Sequence, residues 1–592
     1  MKDFLKFTLA TVVGIIVATV ALFFISMLAI FGMAASSESE TQVEDNSVME
    51  LNLNGVMNER SMESSPIDFM LSQADMTYIG LDDVLASIKK AKENDKIKGI
   101  YLRCNILTTS YASLEAIRDA LVDFKSSGKF IVAYANNYIQ GLYYVASVAD
   151  KVILNPQGSV DWRGLASTPI YFKDLLDKLG IEMQVFKVGT YKSAVEPYLY
   201  NEMSDANREQ LSAYITSVWD HILSSVSESR QLSKDQLQQA ADQMMTLQSA
   251  ETCVAAGLAD TLMYQSDVRS YLAQLMEADD EDDIHTLSLN QMINVKKNVP
   301  RDKSGNVIAV YYAEGGIDDN NSNFGEPVIE SKKMVKELNK LAKDDDVKAV
   351  VIRINSPGGS AYGSEQIWYA VKQLKEKKPV IVSMGNYAAS GGYYIACGAD
   401  SIVAEPTTLT GSIGIFGMVP NLQGLVRDKL GVHTHAVKTN RMSDFGNLTR
   451  PMSADEKALI QNHINRGYDL FLTRCSDGRG MDKESINAIA QGRIWTGEKA
   501  KELGLVDLLG GLDTALEVAI NKAEVEQYTI MNYPAKSSFF EELMEGGFGN
   551  TMVNHFMARS KAGQLMQQID RIEQFTDMDP IQARIPFDLN LQ

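Results

Sequence analysis

The chain has 592 residues, too many for one hydrophobic core, so more than one domain is expected. Its 45% hydrophobic and 22% charged residues are ordinary for a globular protein and supply enough apolar material for large cores. A formal net charge of −20 argues against nucleic acid as a partner, because phosphate binding needs clustered Lys and Arg.

The first element is an apolar run. From Phe7 to Ser37 there is no charged residue, whereas Lys2 and Lys6 precede the run and Glu38 and Glu40 follow it. Roughly 20 apolar residues cross a bilayer core as a helix, and a cleaved signal peptide needs an apolar stretch only about half as long as this one. Residues 1–37 are therefore expected to form a cytoplasmic tip and a retained single-pass anchor near 8–33. The basic flank stays cytoplasmic, which puts the bulk of the chain outside.

A tandem repeat follows. "KIKGIYLRCNILTTSYASLEAI" (96–117) lies over "DVKAVVIRINSPGGSAYGSEQI" (346–367), matching Lys98 to Lys348, Arg103 to Arg353, Asn105 to Asn355, Ser110 to Ser360 and Glu115 to Glu365. "NNYIQGLYYVASVAD" (136–150) lies over "GNYAASGGYYIACGAD" (385–400) with one residue missing. A period this long is a domain duplication. The expected units are a first repeat over 47–275, a linker over 276–306, a second repeat over 307–525 and a Met- and Phe-rich helical tail over 526–592.

Within each repeat the pattern is α/β. "AVVIRIN" and "PVIVSMG" suit buried strands, and "GSEQIWYAVKQLKEKK" between them has helical periodicity. "SGGYYIACGAD" suits a short helix and "SIVAEP" another strand, so βαβ units are expected. Regions 204–247 and 453–490 read as polar amphipathic helices, and 315–327 as a surface loop. The four cysteines show neither CxxC nor zinc spacing and are expected as buried free thiols.

The chemistry is divided between the copies. "NSPGGS" places Gly358 and Gly359 where backbone N–H groups can approach a ligand, as an oxyanion hole requires. The same residues also suit an ordinary turn. The first copy has Thr108 and Thr109 there, so the fold does not need the glycines. Ser390, among small neighbours at a helix start, suits either a nucleophile or a helix cap. The first copy has Gln140 in its place. None of the six histidines lies in a run resembling a catalytic motif, and His433 and His435 in "GVHTHAV" read as a strand with alternating faces. Lys192, in "VGTYKSAVEPY", sits among small and apolar residues and could serve as a base if burial lowers its pKa. At an offset of 251 its counterpart is Ser443. One copy keeps a base, the other a nucleophile.

"GTYKSAVEP", "NSPGGS", "NYAASGGYYIA", "TLTGSIGIFG" and "WTGEKAKELGLVD" together closely resemble the signal peptide peptidase A (protease IV) family in its long, two-repeat bacterial form. The resemblance covers residues 1–525. It implies a tandem Clp/crotonase-like α/β fold, a Ser–Lys dyad, and a homotetramer on the periplasmic side of the inner membrane that degrades cleaved signal peptides. It implies Ser390 as nucleophile, Lys192 as general base, Ser412 as the group holding the lysine, and Gly391 with Gly358 and Gly359 as the oxyanion hole. Neither metal nor cofactor is expected. Two rivals remain open from residues alone. A crotonase-type acyl-CoA enzyme would need an active-site carboxylate and a soluble chain. A non-catalytic membrane scaffold would need none of these residues.

Overall fold

The computed structural model describes residues 40–61, 78–296, 304–318, 327–536 and 581–585, with a few positions between 6 and 18. The span expected at 8–33 lies largely outside the described residues; among those described, no helix is long and apolar enough to cross a membrane.

Each repeat is built on a mainly parallel sheet. In the first, the strands run in the order Tyr78–Gly80, Ser47–Asn58, Ile97–Thr108, Phe130–Ala135, Lys151–Leu154 and Thr261–Leu262. In the second, the order is Ile494–Thr496, Leu409–Gly411, Val380–Ala389, Val347–Ser356, Val307–Glu314 and Thr529–Tyr533. The central strand Val347–Ser356 is buried along nearly its whole length, which explains its unbroken Val/Ile run. Helices Tyr111–Lys125 and Ala361–Lys375 occupy matching positions in the two copies. All four cysteines are free and buried.

A third sheet joins the copies. Its order is Val328–Ile329, Gly316–Ile317, Gly358–Ser360, Ile581–Arg584, Phe416–Asn421 and Glu182–Lys187. The last strand belongs to the first repeat, yet it pairs antiparallel with Phe416–Asn421 of the second, Lys187 opposite Phe416. A buried ion pair between Glu59 and Arg353 and a hydrogen bond from Thr407 to Glu115 (2.7 Å) also cross between the repeats.

The structure differs from expectation at four places. The stretch 276–306, expected as a linker, supplies strand His285–Ser288, which pairs parallel with Ser47–Asn58 and extends the first sheet. Within the expected loop 315–327, Gly316–Ile317 forms a strand. The described parts of the tail are strands, not helices: Thr529–Tyr533 pairs with Val307–Glu314, and Ile581–Arg584 enters the third sheet. Residues 431–440, with His433 and His435, form no strand and are exposed throughout.

Candidate active site

Strand Val380–Ala389 ends at Ser390, and helix Gly391–Ala396 begins directly after it. Ser390 has φ +55° and ψ −112°, a strained conformation for a residue with a side chain. Its N–H donates to the Gly411 carbonyl at 2.8 Å and its carbonyl accepts from Tyr394 at 2.8 Å, which fixes the turn. The small neighbours have a packing reason. A methyl on Gly392 would lie 2.7 Å from the Ser356 carbonyl, and one on Gly391 would lie 2.7 Å from Ser364 Oγ.

Lys192 arrives from the other repeat. Strand Glu182–Lys187 is clamped against the second copy, and the chain then turns inward over five residues. Tyr191 N–H donates to Gln491 at 3.0 Å, and Gln210 Nε2 donates to the Tyr191 carbonyl at 3.0 Å and to Ser193 Oγ at 2.8 Å. Lys192 is fully buried, and its Nζ lies 2.8 Å from Ser390 Oγ. Nζ also lies 3.1 Å from Ser412 Oγ and 3.2 Å from the Ser412 carbonyl. Burial alone pushes its pKa well below the ordinary lysine value, because removing water penalises the ammonium form.

The stem of Lys192 runs between two glycines. A methyl on Gly492 (φ +82°) would lie 2.6 Å from Lys192 Cβ, and one on Gly414 would lie 3.2 Å from Cδ. Neither was singled out from sequence, although Gly414 lies within "TLTGSIGIFG". Ser412 has φ +50° and donates its N–H to Arg493 at 2.7 Å, which turns both its oxygens toward the amine.

Gly358 (φ +96°) and Gly359 (φ +157°) stand beside the serine turn. A methyl on Gly358 would come within 2.7 Å of the Gly391 nitrogen, so the two glycines expected to act together are neighbours in space. Gly358 N–H lies 3.2 Å from Ser356 Oγ. The six residues singled out from sequence (Ser390, Lys192, Ser412, Gly358, Gly359 and Gly391) thus converge on one buried site. No carboxylate forms an ion pair with Lys192 among the described residues. The site can move a proton between a hydroxyl and an amine beside backbone donors.

In the first copy, Gln140 fills the matching position. Its Oε1 accepts from Arg163 and Gly164 N–H at 3.0 and 2.9 Å, and its Nε2 donates to Tyr111 Oη at 3.0 Å. The side chain is consumed in structure. Ser443, matched to Lys192, is exposed.

Residues 123–279 and 372–526 match peptidase family S49, and residues 326–408 match the Clp protease family. The chain is 36% identical to "Protease 4" of Haemophilus influenzae over 85% of its own length and 82% of the relative's. It is 38% identical to "Protease 4" of Salmonella typhi, over 79% and 76% of the two chains. It is also 30% identical to "Serine protease SPPA, chloroplastic" of Arabidopsis thaliana, over 79% and 70%.

Proposed function

Because this chain belongs to peptidase family S49 and is a serine peptidase, we propose that it cleaves peptides with a Ser390–Lys192 dyad shared between its repeats. The observation that carries the reading is the 2.8 Å contact between a fully buried lysine and the strained serine. Burial favours the neutral amine, which accepts the Ser390 hydroxyl proton as Oγ attacks a peptide carbonyl. The oxygen of the tetrahedral intermediate takes hydrogen bonds from the backbone N–H groups of Gly391 and the Gly358/Gly359 pair. The Lys192 ammonium, held by both oxygens of Ser412, then protonates the departing amine. Water releases the acyl group by the same route in reverse. A fluorophosphonate probe tests the assignment: it should label Ser390 in the parent chain and leave Ser390→Ala and Lys192→Met unlabelled. Labelling elsewhere with Ser390 unmodified would reject it.

The substrates we assign are remnants of signal peptides, and the location is the periplasmic side of a bacterial inner membrane, held by the 8–33 span. The uncharged run from Phe7 to Ser37 and the similarity to the signal peptide peptidase A family support this. Alkaline carbonate washing should leave the full chain in the membrane pellet; release into the supernatant would reject the anchor.

The functional unit in this reading is a homotetramer. Strand Phe416–Asn421 pairs with Glu182–Lys187, and the repeat offsets map these onto 166–171 and 433–438. Both mapped segments lie outside any strand; Ile170 is 69% exposed and Val437 is fully exposed. Pairing 433–438 of one chain with 166–171 of the next repeats the internal contact head to tail, and such contacts form a ring when the rotation between copies closes. The family resemblance supplies the number four. Light scattering should give four chains for the parent and a smaller species for Val437→Asp.

A further inference from the structure

Helix Gly391–Ala396 ends at Cys397, whose Sγ donates to the Tyr394 carbonyl at 3.2 Å. Tyr394 N–H donates to the Ser390 carbonyl at 2.8 Å, so hydrogen bonds run from the serine turn to this thiol. Helix Ala454–Arg479 lies alongside, and the rings of Tyr394 and Phe471 stack with centroids 4.3 Å apart. One turn further along, the Cys475 thiol is hydrogen-bonded to Cys397. A methyl on Gly478 would lie 2.0 Å from the Cys397 carbonyl oxygen and 3.2 Å from Gly398 Cα, so the two backbones are in contact here. A disulfide spans only about 4–7 Å between Cα atoms, and this packing brings the chains that close.

The first copy shows that packing does not demand thiols. Ser147 stands where Cys397 does, fully buried, and its Oγ donates to the Tyr144 carbonyl at 2.8 Å, the bond that Cys397 makes to Tyr394. Helices Asp205–Arg230 and Ala454–Arg479 have the same length, and their alignment puts Val226, also fully buried, in the place of Cys475. Two facing thiols therefore occur only in the copy that carries Ser390. No second thiol acts on Cys104 or Cys253 among the described residues.

We infer that Cys397 and Cys475 close into a disulfide that staples the far end of the Ser390 helix to helix Ala454–Arg479. The oxidant is another disulfide, small or protein-borne. One protein thiolate attacks it, forming a mixed disulfide and releasing one thiol. The second protein thiolate then displaces the other sulfur, so the oxidant ends as two thiols carrying the two protons and two electrons that the pair has lost. Both sulfurs are fully buried, and burial pushes the Cys475 thiol well above its ordinary value. Exchange therefore proceeds while the helices are apart, as the chain folds or opens, and the closed core then shields the bond from reductants.

The test reduces the full chain in detergent, removes the reductant and incubates it with oxidised glutathione a few degrees below its melting temperature, where the helices open. The chain is then denatured in N-ethylmaleimide, digested and analysed by mass spectrometry. The peptides holding Cys397 and Cys475 should be linked until reduced, with Cys104 and Cys253 alkylated. The oxidised parent should melt about 5 °C or more above the reduced parent. The double variant Cys397→Ser with Cys475→Val, which installs the first copy's residues, should melt at one temperature in both states and still hydrolyse a fluorogenic peptide. Cys397 and Cys475 recovered unlinked, or each linked to another cysteine, would overturn the inference, as would an oxidised parent that melts no higher than the reduced one.

Discussion

The guanidinium of Arg353 meets the carboxylate of Glu59 at 2.9 Å, with both side chains only 4% exposed and the two residues 294 positions apart in the chain. Arg353 also donates to Ser383 Oγ and to the Met384 carbonyl, each at 2.9 Å, on the strand that leads to Ser390. One buried pair therefore couples the first repeat to the floor of the site.

Removing one partner should be costly, because the other charge stays buried. Glu59→Ala is expected to lose about 3–5 kcal/mol of stability by denaturant unfolding, whereas an apolar pair such as Glu59→Leu with Arg353→Met should recover most of it. Equal stability of Glu59→Ala and the parent would show that the pair does not hold the repeats together.

Glu314 gives stability a pH dependence. Burial first, and the nearby Glu59 second, push its carboxyl up to about 7. Between the ordinary carboxylate value and about 7 the folded state keeps a proton that the unfolded chain has lost. Stability therefore falls as pH rises through that window and levels off above it. Glu314→Gln should unfold with a weaker dependence, and its advantage over the parent should grow from pH 5 to pH 8, as thermal melts at each pH would measure.

Lys192 has the opposite slope. Its folded pKa is depressed by burial, so below the ordinary lysine value the unfolded chain binds a proton that the folded chain lacks. Parent stability should rise as pH climbs toward 10. Lys192→Met should be more stable than the parent near pH 7, with the difference shrinking toward pH 10, while peptidase activity falls by about 10³-fold or more. Lys192→Arg should be inactive too, because guanidinium does not deprotonate. The parent rate should rise with pH through one apparent pKa well below that of a free lysine.

Gly358→Ala tests the oxyanion assignment. The added methyl would crowd the Gly391 nitrogen at 2.7 Å, at a φ that disfavours side chains. The expected result is a loss of kcat by about 10²–10³-fold, with near-parent probe labelling rejecting the role. A far-ultraviolet circular dichroism spectrum like the parent's would separate this from unfolding.

Much of this site was legible because the chain carries its own comparison. Thr108, Thr109 and Gln140 mark where the first copy does without glycines and serine, which singled out Gly358, Gly359 and Ser390. Lys192 was harder, since its environment is assembled from Ser412, Gly414 and Gly492 far along the chain. Gly492 could not be read at all, because its need for a missing side chain arises from a contact with a distant lysine. Strand His285–Ser288 was hidden in a charged stretch, as only Leu287 among its residues is buried. Ile581–Arg584 is four residues with no strong alternation, and it is a strand only because two other edges stand open to receive it.

The crossing of Glu182–Lys187 into the second repeat also sets a schedule. A ribosome makes Lys192 early, and the chain must grow through Gly492 before the amine has its walls. At ~5–20 residues per second that interval is on the order of tens of seconds. Throughout it the nascent chain has Lys192 but not the full set of Ser390 and the walls around the amine. If Ser390 and Lys192 are the reacting pair, a chain truncated before Gly492 is inert, and the peptidase cannot cut unfolded polypeptides until its own synthesis is nearly complete.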